Sequence, residues 1–85
     1  MENQMNARDQ ILKILTARNP LINEGNAGRL LDSALLDSFD LIRLVAELEN
    51  TFKIKLGVED ISEENFASLS AIELLVDSRL RAGGG

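Results

Sequence analysis

The sequence predicts an all-α domain: a small four-helix bundle of three main helices and one short one, with a long first loop. Three observations predict it. Leucine dominates the apolar residues and often recurs at the i, i+3, i+4, i+7 spacing of a buried helix face. Aromatic residues are limited to three Phe, and the β-branched residues are scattered rather than alternating. At 85 residues the chain suffices for one domain with a thin core, so short helices must be held by packing.

The first helix is expected from about Met5 to Arg18. Ile11, Leu12, Ile14 and Leu15 make its apolar stripe, with Arg8, Asp9, Lys13 and Arg18 on the other side. Asn19-Pro20 ends it, because a residue before proline is pushed out of the helical region. From Leu21 to Leu36 the chain reads as a long connection containing the turn formers Asn23, Glu24, Gly25, Asn26 and Gly28. Leu21, Ile22, Leu30, Leu31, Leu35 and Leu36 should press it onto the helices. The second helix, Ser38 to Phe52, is the clearest, with Leu41, Leu44, Val45, Leu48 and Phe52 on one face. Asp37 and Ser38 are good capping types, and Asp40 adds negative charge where the helix dipole favours it. After a loop from Lys53 to Ile61, Ser62 is expected to cap a short third helix through about Ala67, anchored by Phe66. The last helix is expected from Ser70, where Ser70-Ala71-Ile72-Glu73 has the capping-box order, with Ile72, Leu75, Val76 and Leu80 on one face. A single domain should cover 1–85, structured over about 5–81, with 82–85 as a flexible tail.

A formal charge of −5 and the lack of a Lys/Arg cluster argue against nucleic-acid binding and favour partners with basic faces. There is no His, Cys, Tyr or Trp. The usual general base, the thiol nucleophile, the softer metal ligands and the large aromatic platforms are therefore missing. No catalytic residue and no metal site is assigned, and a small enzyme is the least favoured reading. The chain has no apolar run near the roughly 20 residues that span a bilayer, and Met1 to Gln10 lacks the apolar core of a signal peptide. A cytoplasmic monomer without membrane insertion is the expectation. If such a chain takes part in a reaction, it presents something that another protein acts on.

The stretch Leu35-Leu36-Asp37-Ser38-Phe39-Asp40-Leu41-Ile42-Arg43-Leu44-Val45-Ala46-Glu47-Leu48-Glu49-Asn50-Thr51-Phe52 resembles the modification site of acyl carrier proteins. In that family an Asp-Ser pair opens the second helix, followed by an apolar residue, an acidic one, and a Glu-rich amphipathic helix closing on Phe. The resemblance extends from about Ile11 to Leu80 in the order and length of the helices. It implies an acyl-carrier-type bundle with a 4'-phosphopantetheine arm, donated by coenzyme A, on Ser38 beside Asp37. Substrates would ride that arm as acyl or aminoacyl thioesters. A serine at a helix N-terminus is exposed and rigidly held, and the positive end of the dipole suits a phosphodiester. For an isolated Asp-Ser pair, an ordinary helix cap is the simpler reading; the surrounding pattern favours attachment. Leu30-Leu31-Asp32-Ser33 echoes the motif, but no long amphipathic helix follows Ser33, which reads as a turn residue.

The resemblance also implies a partner surface on the second helix. Phe39, Ile42 and Ala46 lie on a face rotated from the core stripe, next to Arg43. Asp37, Asp40, Glu47 and Glu49 would meet basic residues of other proteins. The implied partners are a phosphopantetheinyl transferase, an acyl- or aminoacyl-loading enzyme, and a downstream acyltransferase or synthase. Fatty-acid carriers typically have Gly-x-Asp-Ser-Leu at the site and an acidic residue where Arg43 stands. Here the Leu-Leu-Asp-Ser-Phe form looks more like D-alanyl and peptidyl carriers, which favours a specialised pathway. In this family the core can also shelter an acyl chain; Leu41, Leu44, Leu48, Phe66, Ala67, Ile72 and Val76 would line that space. The alternative is an unmodified carrier-like adaptor that binds through the acidic second helix.

Overall fold

In a computed structural model, which describes residues 6–83, three α-helices are joined by one long and one shorter connection, with no strand among the described residues. Helix α1, Ala7–Arg18, is capped by Asn6, whose side chain accepts the Asp9 amide at 2.9 Å. Met5, where this helix was expected to begin, lies outside the described residues. Ile11 and Leu15 are buried on the inner side of α1, and Asn19 caps its end through a bond from its amide to the Leu15 carbonyl. Helix α2, Ser38–Phe52, buries Leu44, Val45 and Leu48, with Leu41 and Phe52 half-buried beside them. Helix α3, Leu69–Gly83, buries Leu69, Ile72, Leu75 and Val76. It packs chiefly on α1, and α1 in turn packs on α2. The all-α class expected from the leucine pattern is what the chain forms.

The long connection does press onto the helices, through Ile22, Ala27, Leu30 and Leu36. Leu21 does not take part; it is exposed, because its amide and carbonyl are held by Asn19 and Asn26 at the surface. Two backbone hydrogen bonds of 2.8 Å, from the Leu30 amide to the Ala67 carbonyl and from the Leu69 amide to the Ala27 carbonyl, tie the loop to the start of α3.

Those two bonds also explain why the short helix expected over Ser62–Ala67 is a single turn. Ser62 caps it as expected, accepting the Asn65 amide at 3.2 Å, and the Phe66 amide reaches the Ser62 carbonyl. The next backbone groups are already committed to the loop, so the turn cannot extend into a helix. A three-residue 3-10 helix, Val58–Asp60, stands just before it. Phe66 is fully buried, as its anchoring role required.

The start of α3 is corrected by two residues. Ser68, not Ser70, is the cap; its hydroxyl accepts the Ala71 amide at 3.1 Å. Ser70 and Glu73 instead face Arg8 of α1, whose Nη1 lies 3.2 Å from the Glu73 carboxylate and 3.4 Å from the Ser70 hydroxyl. At its other end α3 continues to Gly83, into the stretch 82–85 expected as a tail, of which 84 and 85 lie outside the described residues. No helix among the described residues is long and apolar enough to cross a membrane.

Candidate functional site

Asp37 and Ser38 divide the start of α2 between them. Asp37 is the N-cap: its backbone is extended, and its carboxylate accepts the Asp40 amide at 2.9 Å. The Asp40 carboxylate reaches back to the Asp37 amide at 3.3 Å, which closes a capping box. Ser38 is the first helical residue. It is exposed, and its hydroxyl has no partner among the described residues. Had Ser38 been the cap, its oxygen would have been bound to a backbone amide of the first turn. Here the helix is capped one residue earlier and the hydroxyl is left available.

The segment leading to this point is anchored. The Leu35 and Leu36 amides both reach the Leu30 carbonyl, and the Leu35 carbonyl accepts the Asn19 side-chain amide at 3.0 Å. Leu36 is buried immediately before Asp37. The exposed Asp-Ser pair therefore stands between a packed leucine and a capped helix, which fixes its position. Ser33, the serine of the echo motif, is differently placed: its hydroxyl donates to the Arg29 carbonyl within a turn.

Along α2 the side chains expected to meet partners separate into two groups. Phe39 is 73% exposed and Ile42 66% exposed, and Arg43 and Ala46 are also exposed. The carboxylates are partly committed within the fold. Asp40 serves the capping box, Glu47 approaches Arg18 of α1 at 3.9 Å, and half-buried Glu49 accepts the Leu56 amide at 2.8 Å. Glu49 is thus a clamp on the segment after α2, which turns back at Lys53 in a left-handed backbone conformation. Of the residues expected to line an acyl space, Leu44, Leu48, Phe66, Ile72 and Val76 are packed in the core, Leu41 is half-buried, and Ala67 is exposed.

Two features had no signal in the sequence. Asp60 is buried; its carboxylate accepts the Gly57 amide at 2.9 Å and the Arg79 guanidinium at 2.7 Å. The Gly57 hydrogen bond, opposed by burial and assisted by Arg79, holds its carboxyl below the ordinary carboxylate range. Val58, two residues before it in the 3-10 helix, is the most exposed large apolar side chain among the described residues. Among the described residues no cluster of acidic side chains could hold a metal ion.

An exposed serine whose hydroxyl has no partner among the described residues fits a covalently attached group, and the Ser38 and Phe39 amides, which have no acceptor among those residues, suit its phosphate. Comparison with known proteins agrees with that geometry. The family described as the phosphopantetheine attachment site matches residues 29–76, which contain both Ser33 and Ser38. The D-alanyl carrier protein of Staphylococcus xylosus is 31% identical over 78 residues, covering 88% of this chain and 100% of that protein. The D-alanyl carrier protein of Staphylococcus saprophyticus is 28% identical over 75 residues, covering 86% of this chain and 96% of that protein. No solved structure gives a significant match. The chain belongs to the phosphopantetheine-attachment family: it is a carrier, not itself an enzyme, and its prosthetic group is a covalently attached 4'-phosphopantetheine.

Proposed function

We propose that Ser38 carries the phosphopantetheine arm, and that the protein presents acyl or aminoacyl groups to partner enzymes of a specialised pathway in the cytoplasm. When attached, the arm supplies the thiol that the polypeptide lacks, so that cargo is held as a thioester. The chain's own residues supply position. Asp37 caps α2 in place of the serine, the dipole of α2 favours the phosphodiester, and buried Leu36 fixes where the pair stands. The observation that carries this reading is the exposed Ser38 hydroxyl, without a partner among the described residues and one residue after the cap. The relatives' name favours an aminoacyl cargo and, with it, a loading enzyme that activates an amino acid. A transferase would install the arm on Ser38, and a downstream acyltransferase or synthase would receive the cargo.

Incubation with coenzyme A and a broad-specificity phosphopantetheinyl transferase, read by intact mass, tests the assignment. Wild type and Ser33→Ala are expected to gain one phosphopantetheine, and Ser38→Ala none. A gain in Ser38→Ala would move the attachment elsewhere. An unchanged wild-type mass with several transferases would favour an unmodified adaptor that binds through α2.

A further inference from the structure

Both backbone groups and both side-chain polar atoms of Asn19, at the end of α1, have partners. Its backbone amide donates to the Leu15 carbonyl at 2.9 Å, and its carbonyl accepts the Ile22 amide at 3.0 Å. Its side-chain oxygen accepts the Leu21 amide at 3.0 Å. Those three bonds are local and serve to end the helix. The fourth is not: the side-chain nitrogen crosses to the Leu35 carbonyl, also at 3.0 Å. Pro20 keeps Asn19 in extended backbone, and the Leu21 amide fixes the side-chain oxygen, so the nitrogen is aimed at Leu35. The two roles need an acceptor and a donor on one planar group, which at this length only asparagine offers.

Leu35 belongs to the turn that delivers the Asp-Ser pair. The Leu35 amide reaches the Leu30 carbonyl and the Ala34 amide reaches the Leu31 carbonyl, the bond pattern of a Schellman turn. Its left-handed position is filled by Ala34, at a φ of 59°, where glycine is the usual occupant. A Cβ is strained in that conformation, so the closed turn leans on support from outside itself. Resting on the assignment of the arm to Ser38, we propose that Asn19 is a positioning residue for its modification. Its bond to Leu35 holds the strained turn closed and so fixes where Asp37 and Ser38 are presented. The bond acts three residues before Ser38, on the flank of the serine that α2 does not support. An enzyme that must take Ser38 in one position binds the closed form. Opening of the turn then lowers apparent affinity by the closed fraction and leaves the chemical step alone.

The test uses the full chain in its apo form, coenzyme A and a broad-specificity phosphopantetheinyl transferase, with initial rates of Ser38 modification read by intact mass. Asn19→Ser keeps an acceptor for the Leu21 amide but is too short to reach Leu35. Asn19→Asp keeps the shape and replaces the donor with an acceptor. Both are expected to raise KM about two- to tenfold, the equivalent of one ordinary hydrogen bond, with kcat within about twofold of wild type. Ile11→Val, a trimmed core residue about two turns earlier in α1, is the stability control. It should lower Tm about as much as Asn19→Ser and leave KM unchanged. An unchanged KM in both Asn19 variants, or an equal rise in Ile11→Val, would overturn the positioning role and leave Ser38 in place. A fall in kcat at unchanged KM would overturn it as well. No mass gain in wild type would overturn the Ser38 assignment and this proposal with it.

Discussion

Asp37 has a structural role and an expected recognition role, and the geometry allows the two to be separated. Its carboxylate accepts the Asp40 amide at 2.9 Å, while the reciprocal bond uses the backbone amide of residue 37 and survives any side chain there. Asp37→Ala therefore removes one capping bond, a loss of about 0.5–2 kcal/mol and typically about 1. For a domain of this size that lowers Tm by about 4–8 °C per kcal/mol. Asp37→Asn keeps an acceptor of the same reach and loses only the charge, which at an exposed helix N-terminus contributes about 0.3–1 kcal/mol. Asparagine is preferred to serine as the probe because it adds no second hydroxyl beside Ser38. Thermal and urea unfolding by circular dichroism should place Asp37→Asn close to wild type and Asp37→Ala clearly below, with unchanged m values. Modification kinetics at Ser38 then report on recognition. A slower Asp37→Asn with a near-native Tm would show that the charge itself meets a basic partner surface. Equal destabilisation by Asn and Ala would refute the capping argument, since it would assign the whole effect to charge.

Two further outcomes are expected. Because the carboxyl of Asp60 titrates below its ordinary value of 3.8, its contribution to stability is complete above that value and lost as pH falls through the lower folded-state value. The urea midpoint of wild type should therefore drop on acidification below about pH 4, and Asp60→Asn should start lower and show a flatter acid limb; parallel profiles would remove Asp60 from the account. Glu49→Ala should raise hydrogen exchange at the Leu56 amide about tenfold, equivalent to about 1.4 kcal/mol of local opening, whereas Glu49→Gln, which keeps an acceptor, should largely retain protection. A slower transferase reaction in Glu49→Gln with Leu56 still protected would return Glu49 to the partner surface.

Most of what places Ser38 is written locally. Leu41, Leu44, Val45, Leu48 and Phe52 repeat at helical period, and an Asp before the first helical residue is a local capping signal, so α2 and its start could be read directly. What could not be read is set by contacts between residues far apart in sequence. Nothing near Ser62–Ala67 announces that the Ala67 carbonyl will serve Leu30, or that the Leu69 amide will serve Ala27. Ser70 and Glu73 have the order of a capping box, yet Arg8 from α1 draws both away, and Ser68 caps with only Ala71 at the position where an acid would have flagged it. Glu49 reads as an outward-facing acid that meets basic residues of other proteins. Its clamp on Leu56 exists only because the chain reverses at Lys53, a residue with no special preference for left-handed backbone.

The two Asp-Ser pairs show what the order of these residues does physically. A serine hydroxyl near backbone groups that lack partners tends to bond them, and this is what makes serine a good cap and turn residue. Ser33 follows that tendency: its hydroxyl donates to the Arg29 carbonyl, so it is engaged within its own turn. At the start of α2 the same outcome would be expected of Ser38, unless another group met the needs of the first turn. Asp37 does so, taking the Asp40 amide while Asp40 takes the amide of Asp37. Ser38 then falls one residue inside the helix, where its side chain points outward and no cap bond is left for it to make. The aspartate is therefore a condition for the serine's availability as well as a source of charge. Where the two residues exchanged places, the serine would become the cap and the exposed hydroxyl would be lost, even with composition and net charge unchanged.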